Sequence, residues 1–170
     1  MDYEYEQIIK KAAESKSSKI ILNSSLEHAC IGLEYLINTA KSKIRIVSNE
    51  FWEGCWDELY PHLNNFLKKD NVEIEIVILK DYEKGRTIKK ISKEFSTKVK
   101  VYKFSQKDTK KMPNFVTIDT MGYRFELSDE EKKNKIVKGV INFGDEAITN
   151  SLNEIFEVVK NASSLEVVCG

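Results

Sequence analysis

Histidine is scarce in this chain: His28 and His62 are the only two among 170 residues. Chemistry that gathers several imidazoles around a substrate or a metal therefore has almost nothing to draw on. Cysteine is sparse too, with Cys30, Cys55 and Cys169 far apart and odd in number. No CxxC or Cys/His ligand spacing exists, so neither a zinc site nor a disulfide framework is expected. Free thiols in a reducing, cytoplasmic setting are the expectation. Net charge is missing as well: 27 basic side chains cancel 27 acidic ones, so no global field draws the protein to nucleic acid or anionic lipid. Any such partner has to be met by a local patch. No apolar run approaches the ~20 residues of a membrane span. The opening MDYEYEQIIKK is polar and acidic, without the apolar region of a signal peptide. A glycine-rich phosphate cradle and a Ser/His/Asp order are also absent. A protein without cofactor, metal or membrane association is expected.

What is present suits one α/β domain. Hydrophobic residues make up 41% of the chain, enough for a core. Residues 1–18 read as an N-terminal helix or arm, with Tyr5, Ile8, Ile9 and Ala12 at helical spacing. Residues 19–170 read as a single domain in which strands and helices alternate for the first hundred residues. NVEIEIVILK is apolar on both faces, as a strand in the centre of a sheet would be. GCWDELYPHLNNFLKK reads as a helix that Pro61 kinks or restarts. In GDEAITNSLNEIFEVVKNA the expected inward face is Ile148, Leu152, Ile155, Phe156 and Val159, with Asp145 at the start. The fold class is α/β, a mixed central β-sheet flanked by helices.

The segment KMPNFVTIDTMGYRFE reads as a hairpin with Met121 and Gly122 at its turn. With the downstream GVINFGDE and the closing helix, it resembles the phospholipase D-like phosphodiesterases. In that family the first hairpin strand carries His-x-Lys-x4-Asp and a later segment carries Gly-Ser-x-Asn. The resemblance covers roughly residues 24 to 162 and implies a phospholipase D-like sandwich. Carried over, Asp119 stands at the motif's aspartate, Gly139 at its glycine and Asn142 at its asparagine. Met112 falls where the histidine nucleophile would be, Asn114 where the phosphate-holding lysine would be, and Val140 at the serine. A thioether is no recyclable nucleophile for phosphorus, and an amide carries no charge to offset a phosphoryl group. The resemblance thus implies a scaffold kept without its catalyst, with no catalytic residue assigned and a vestigial site at Met112, Asn114, Asp119, Gly139 and Asn142. For His28 and His62 the reading is helix capping or packing.

Two further groups stand out as binding candidates. SNEFWEGCW follows a strand and sets Phe51, Trp52 and Trp56 among acids, beside Asn49, as a loop at ligand-bearing strand ends would. Lys98, Lys100, Lys103, Lys107, Lys110 and Lys111 fall on a strand's outer face and the loop before the hairpin. They read as a solvated edge or as a phosphate-tracking patch.

The leading function is a catalytically inactive phospholipase D-like domain that binds a protein partner or serves a nucleic-acid-linked complex. The family's nuclease members imply a setting such as bacterial defence or restriction, and a homodimer. The alternatives are a small-ligand or nucleotide-sensing domain with a pocket near Asn49, Trp52, Asn114 and Asn142, and a phosphodiesterase or nuclease with a relocated nucleophile.

Overall fold

The apolar run Ile74, Ile76, Val77, Ile78 is buried because its strand lies inside a sheet with helices on both faces. A computed structural model describes residues 2–49, 51, 53–79, 85–104, 112–126 and 138–166. The strands are β1 (Ile21–Asn23), β2 (Lys43–Ser48), β3 (Glu73–Ile78), β4 (Val99–Phe104), β5 (Phe115–Ile118), β6 (Gly122–Glu126), β7 (Gly139–Asn142) and β8 (Ser163–Glu166). The helices are α1 (Tyr3–Glu14), α2 (Leu26–Thr39), α3 (Glu53–Leu67), α4 (Arg86–Glu94) and α5 (Glu146–Asn161). One sheet runs in the order β1-β7-β6-β5-β2-β3-β4-β8. Strands β2, β3 and β4 are parallel, and every other pairing is antiparallel. This is the mixed sheet the alternation of elements implies, because helical crossovers return the chain to parallel strands and hairpins do not.

Side chains alternate across the sheet and divide the core in two. Ile44, Ile46, Ile74, Ile76, Val116 and Ile118 meet α1 to α4 on one face. Val47, Val77, Phe115 and Tyr123 meet α5 on the other, through Leu152, Phe156 and Val159. Helix α1 is docked in the larger cluster: Ile9 is fully buried and Tyr5 nearly so. Ser25 caps α2 by accepting the His28 backbone N–H (3.1 Å), and Asp145 caps α5 by accepting that of Ile148 (3.0 Å).

Three expectations are corrected. Helix α3 continues through Pro61 and does not restart there. A mid-helix proline costs ~3 kcal/mol, and burial of Leu59, Leu63, Phe66 and Leu67 on this helix outweighs it. Helix α5 presents Thr149, Leu152, Phe156 and Val159 inward, while Ile148 and Ile155 are exposed. Leu152, Phe156 and Val159 face inward as expected, and Thr149 rather than Ile148 joins them, its Oγ donating to the Asp145 carbonyl under the cap (2.6 Å). Cys30 on α2 and Cys55 on α3 are not free thiols but a disulfide, with Cα atoms 5.5 Å apart. Packing of α2 on α3 brings together two residues that no sequence spacing relates. Cys169 lies outside the described residues.

Candidate functional site

The hairpin's first strand starts at a buried polar cluster. Asn114, just before β5, points to the α1–α4 face along with Val116 and Ile118. Its Oδ1 accepts the backbone N–H of Asn49 (2.8 Å) and the Asn49 side-chain amide (2.8 Å). Its own Nδ2 donates to Glu126 Oε2 (2.7 Å). The sequence pairs Asn49 and Asn114 only as neighbours of one pocket; the sheet brings them into direct contact because β2 and β5 are adjacent, with Val47 opposite Phe115.

Glu126 and Arg124 complete the cluster. Two residues apart on β6, they share the face of Asn114, and Arg124 Nη1 donates to Glu126 Oε1 (3.0 Å). Both side chains are more than nine-tenths buried. A buried pair of this kind holds only if its remaining polar atoms find partners. Arg124 Nε and Nη2 take none among the described residues, and neither does the Tyr5 hydroxyl nearby. A cavity of about 20 Å³ bounded by Arg124, Glu126, Asn114, Ser48 and Trp56 has room for a water. Burial pushes the Tyr5 hydroxyl up to about 12, against the pull of the Arg124 cation. Gly139 sits opposite Glu126 in the ladder. A Cβ there would stand 2.7 Å from Asn23 Oδ1 and 3.3 Å from Arg124 Nη2, so only glycine leaves room for this cluster.

Two more positions of the resemblance lie elsewhere. Asp119 is at the far end of β5, in the three-residue turn before β6, with φ 48°. Its carboxylate accepts the backbone N–H groups of Lys41 (2.8 Å), Ser42 (2.9 Å) and Lys43 (2.9 Å) and the Ser42 hydroxyl (2.8 Å). Burial opposes its ionisation, but the donors of Lys41, Lys43 and Ser42 outweigh burial and hold its pKa below the usual value. Asn142 pairs with Tyr123 and faces α5, on the opposite side of the sheet from Asn114. Its Oδ1 accepts the N–H groups of Gly144 (2.9 Å) and Asp145 (2.7 Å), and its Nδ2 donates to the Ser18 carbonyl (2.7 Å). A single pocket shared by Asn49, Asn114 and Asn142 is therefore not formed, because strand parity sends Asn142 to the other layer. Asp119 and Asn142 each tie a turn to a distant loop.

Met112 is partly buried against the cluster under α5, and its carbonyl accepts from the Asn49 amide at 3.4 Å. Phe51 and Trp56 meet edge to face (centroids 5.1 Å) at 3% and 5% exposure, so they are core rather than a partner surface. Trp52, Lys107, Lys110 and Lys111 lie outside the described residues. The remaining lysines form no single patch. Lys98 Nζ donates to the carbonyls of Leu67 and Lys69 at the end of α3. Lys100 pairs with Glu73 (3.6 Å), and Lys103, an odd number of residues along β4, faces the opposite layer. Nor is β4 an edge, since β8 pairs with it. His28 stacks on Tyr5 (3.8 Å, 6°) and bonds Asp2 (3.0 Å); His62 bonds Asn38 (2.9 Å) and faces Glu34 (3.6 Å). Each histidine has its own helix-surface partners, and none of them is a partner of Asp119. Among the described residues no three His, Cys, Asp or Glu side chains form a metal-holding group.

Arg124 and Glu126 are the residues sequence reasoning misses. The signal was there: in YRFE the charges take the parity of a core-facing row, opposite Val116 and beside Asn114 once the turn sets the register.

Compared by sequence, the chain matches no protein-family model and no curated protein. Compared by structure, an eight-stranded mixed sheet with this hairpin at its centre has the phospholipase D-like fold. Nuc from Salmonella typhimurium, a phospholipase D family member, superposes with a TM-score of 0.65 at 15% identity, over 87% of this chain and 97% of its own. NucT from Helicobacter pylori gives 0.64 at 14%, over 87% and 99%. TrmBL2, an archaeal chromatin protein whose structure shows a novel mode of DNA binding, gives 0.65 at 14% over 94% of this chain. The chain spans 60% of TrmBL2's length. No helix among the described residues is long and apolar enough to cross a membrane.

Proposed function

We propose that this chain is a catalytically silent phospholipase D-like domain that works as a binding subunit in a nucleic-acid-linked complex. The observation that carries the reading is Asn114. Where the family resemblance puts a cationic phosphate holder, this chain has an amide whose oxygen and nitrogen are spent on Asn49 and Glu126. The buried cation beside it among the described residues, Arg124, is neutralised by Glu126, and neither histidine belongs to the cluster. Phosphoryl transfer needs a nucleophile and uncommitted positive charge at the reacting centre. Likeness to TrmBL2 favours DNA or RNA as the setting over a free small ligand. A homodimer, a cytoplasmic location and service in bacterial defence or restriction belong to this proposal.

Two measurements test it. The purified chain is expected to leave bis(p-nitrophenyl) phosphate and both nucleic acids uncut, with or without divalent metal. Gel filtration and filter binding are expected to reveal a dimer, or retention of DNA or RNA that salt weakens. Turnover at ordinary enzymatic rates, or a monomer that retains neither nucleic acid, refutes the reading.

A further inference from the structure

Between α2 and α3 lies a cleft of about 450 Å³, and the Cys30–Cys55 disulfide is part of its wall. Among the described residues its charged lining is Glu27, Glu34 and Glu58. Glu27 accepts the Asp2 N–H (3.1 Å) and Glu34 faces His62 (3.6 Å). Cys30 is partly exposed, whereas Cys55 is only 2% exposed and sits in the first turn of α3. Cys55 is followed by Trp56, which bounds the small cavity over Asn114, Arg124 and Glu126. The bridge therefore pins to α2 the one turn of α3 that separates the cleft from the buried polar cluster.

We propose that this bridge is a thiol-exchange site, entered through the cleft, that takes small cationic thiols and releases the start of α3 when it opens. The step balances as follows. A thiolate attacks Sγ of Cys30, the more exposed residue of the pair; the S–S bond breaks and Cys55 leaves as thiolate. A second thiol attacks the small-molecule sulfur of the mixed disulfide and frees Cys30. Two thiols become one disulfide, and the bridge gains two electrons and, with protonation, two protons. A helix N-terminus stabilises thiolate, and a better-stabilised leaving thiolate departs faster, so Cys55 suits the leaving role. Glu34 and Glu58 set the choice of reagent, attracting ammonium-bearing thiols and repelling carboxylate or sulfonate ones. This inference stands whatever the domain binds.

The test uses the whole chain purified without reductant. Peptide mapping should recover the Cys30–Cys55 linkage. Reduction by cysteamine, normalised to thiolate concentration, should outrun reduction by 2-mercaptoethanesulfonate by roughly threefold to tenfold at low ionic strength. The ratio should shrink towards one at about 1 M salt and in the Glu34→Gln/Glu58→Gln variant. On reduction, hydrogen exchange should quicken in residues 53–59, and Cys30→Ala should show the fast pattern with or without reductant. If Cys30→Ala does not fold, reduced wild type supplies the comparison. Absence of the linkage, equal normalised rates for the two thiols, or unchanged exchange across 53–59 overturns the proposal.

Discussion

Asp119→Asn isolates the role of the carboxylate that gathers the turn after β5 to the loop before β2. Asparagine tolerates the left-handed backbone at φ 48°, so the change spares the turn its steric cost. It is aimed at the four donors that converge on the carboxylate from Lys41, Ser42 and Lys43. Removing the charge weakens those bonds and turns an amide N–H₂ towards backbone N–H groups. Hydrogen bonds to a charged group are worth ~1.5–3 kcal/mol each but do not add, and an amide oxygen keeps part of them, so the loss should be about 2 kcal/mol. For a chain of this size that lowers Tm by roughly 4–8 °C. The pH dependence carries the sharper test. The folded-state pKa is depressed, so the contribution is complete above the unfolded value of about 4 and fades as pH falls through the folded value. Urea unfolding of both proteins at neutral pH and at about pH 3 should show the stability gap closing in acid. A gap under ~0.5 kcal/mol at neutral pH, or one that does not change with pH, refutes the account.

Other substitutions test the buried cluster. Glu126→Gln leaves the Arg124 cation without a countercharge and should cost ~3–5 kcal/mol in urea unfolding. Asn114→Ala strips partners from Glu126 and Asn49 and should cost ~2–3 kcal/mol, without creating or abolishing phosphodiester cleavage. Gly139→Ala drives a methyl against Asn23 Oδ1 and the Phe125 carbonyl; a melt should show a loss of ~1–3 kcal/mol. Because burial raises the Tyr5 hydroxyl to about 12, its contribution is intact below ~pH 10 and lost as pH climbs through its folded value. Tyr5→Phe should therefore resist alkaline unfolding better between pH 10 and 12, monitored by circular dichroism.

The layers were legible where periodicity is strong. Ile74, Ile76 and Val77 announce a strand buried on both faces, and Asp145 marks a helix start through its capping oxygen. The hairpin was legible as a family outline. What stayed hidden depends on relations between elements. Cys30 and Cys55 meet only because α2 packs on α3. Asn142 resembles a motif residue by its place in a string, yet β7's register against β6 turns it to α5. Ile148 and Ile155 fit a helical stripe as well as Thr149 does, and only the cap and Phe156 decide which stripe goes inward. The lysines on and just before β4 looked like one surface until the end of α3 claimed Lys98 and Glu73 claimed Lys100.

The pairing of Ile21 with Ile141 has a consequence for the order of assembly. Among the described residues strand β1 has one neighbour in the sheet, and that neighbour follows it by more than a hundred residues in the chain. Until β7 has left the ribosome, β1 has no ladder to join, and the tie between Ser18 and Asn142 cannot form. Such distant closure makes sealing of this edge a late, slow event in folding. A nascent chain stalled before β7 would hold the parallel strands β2 to β4 while leaving the opposite margin of the sheet unfinished.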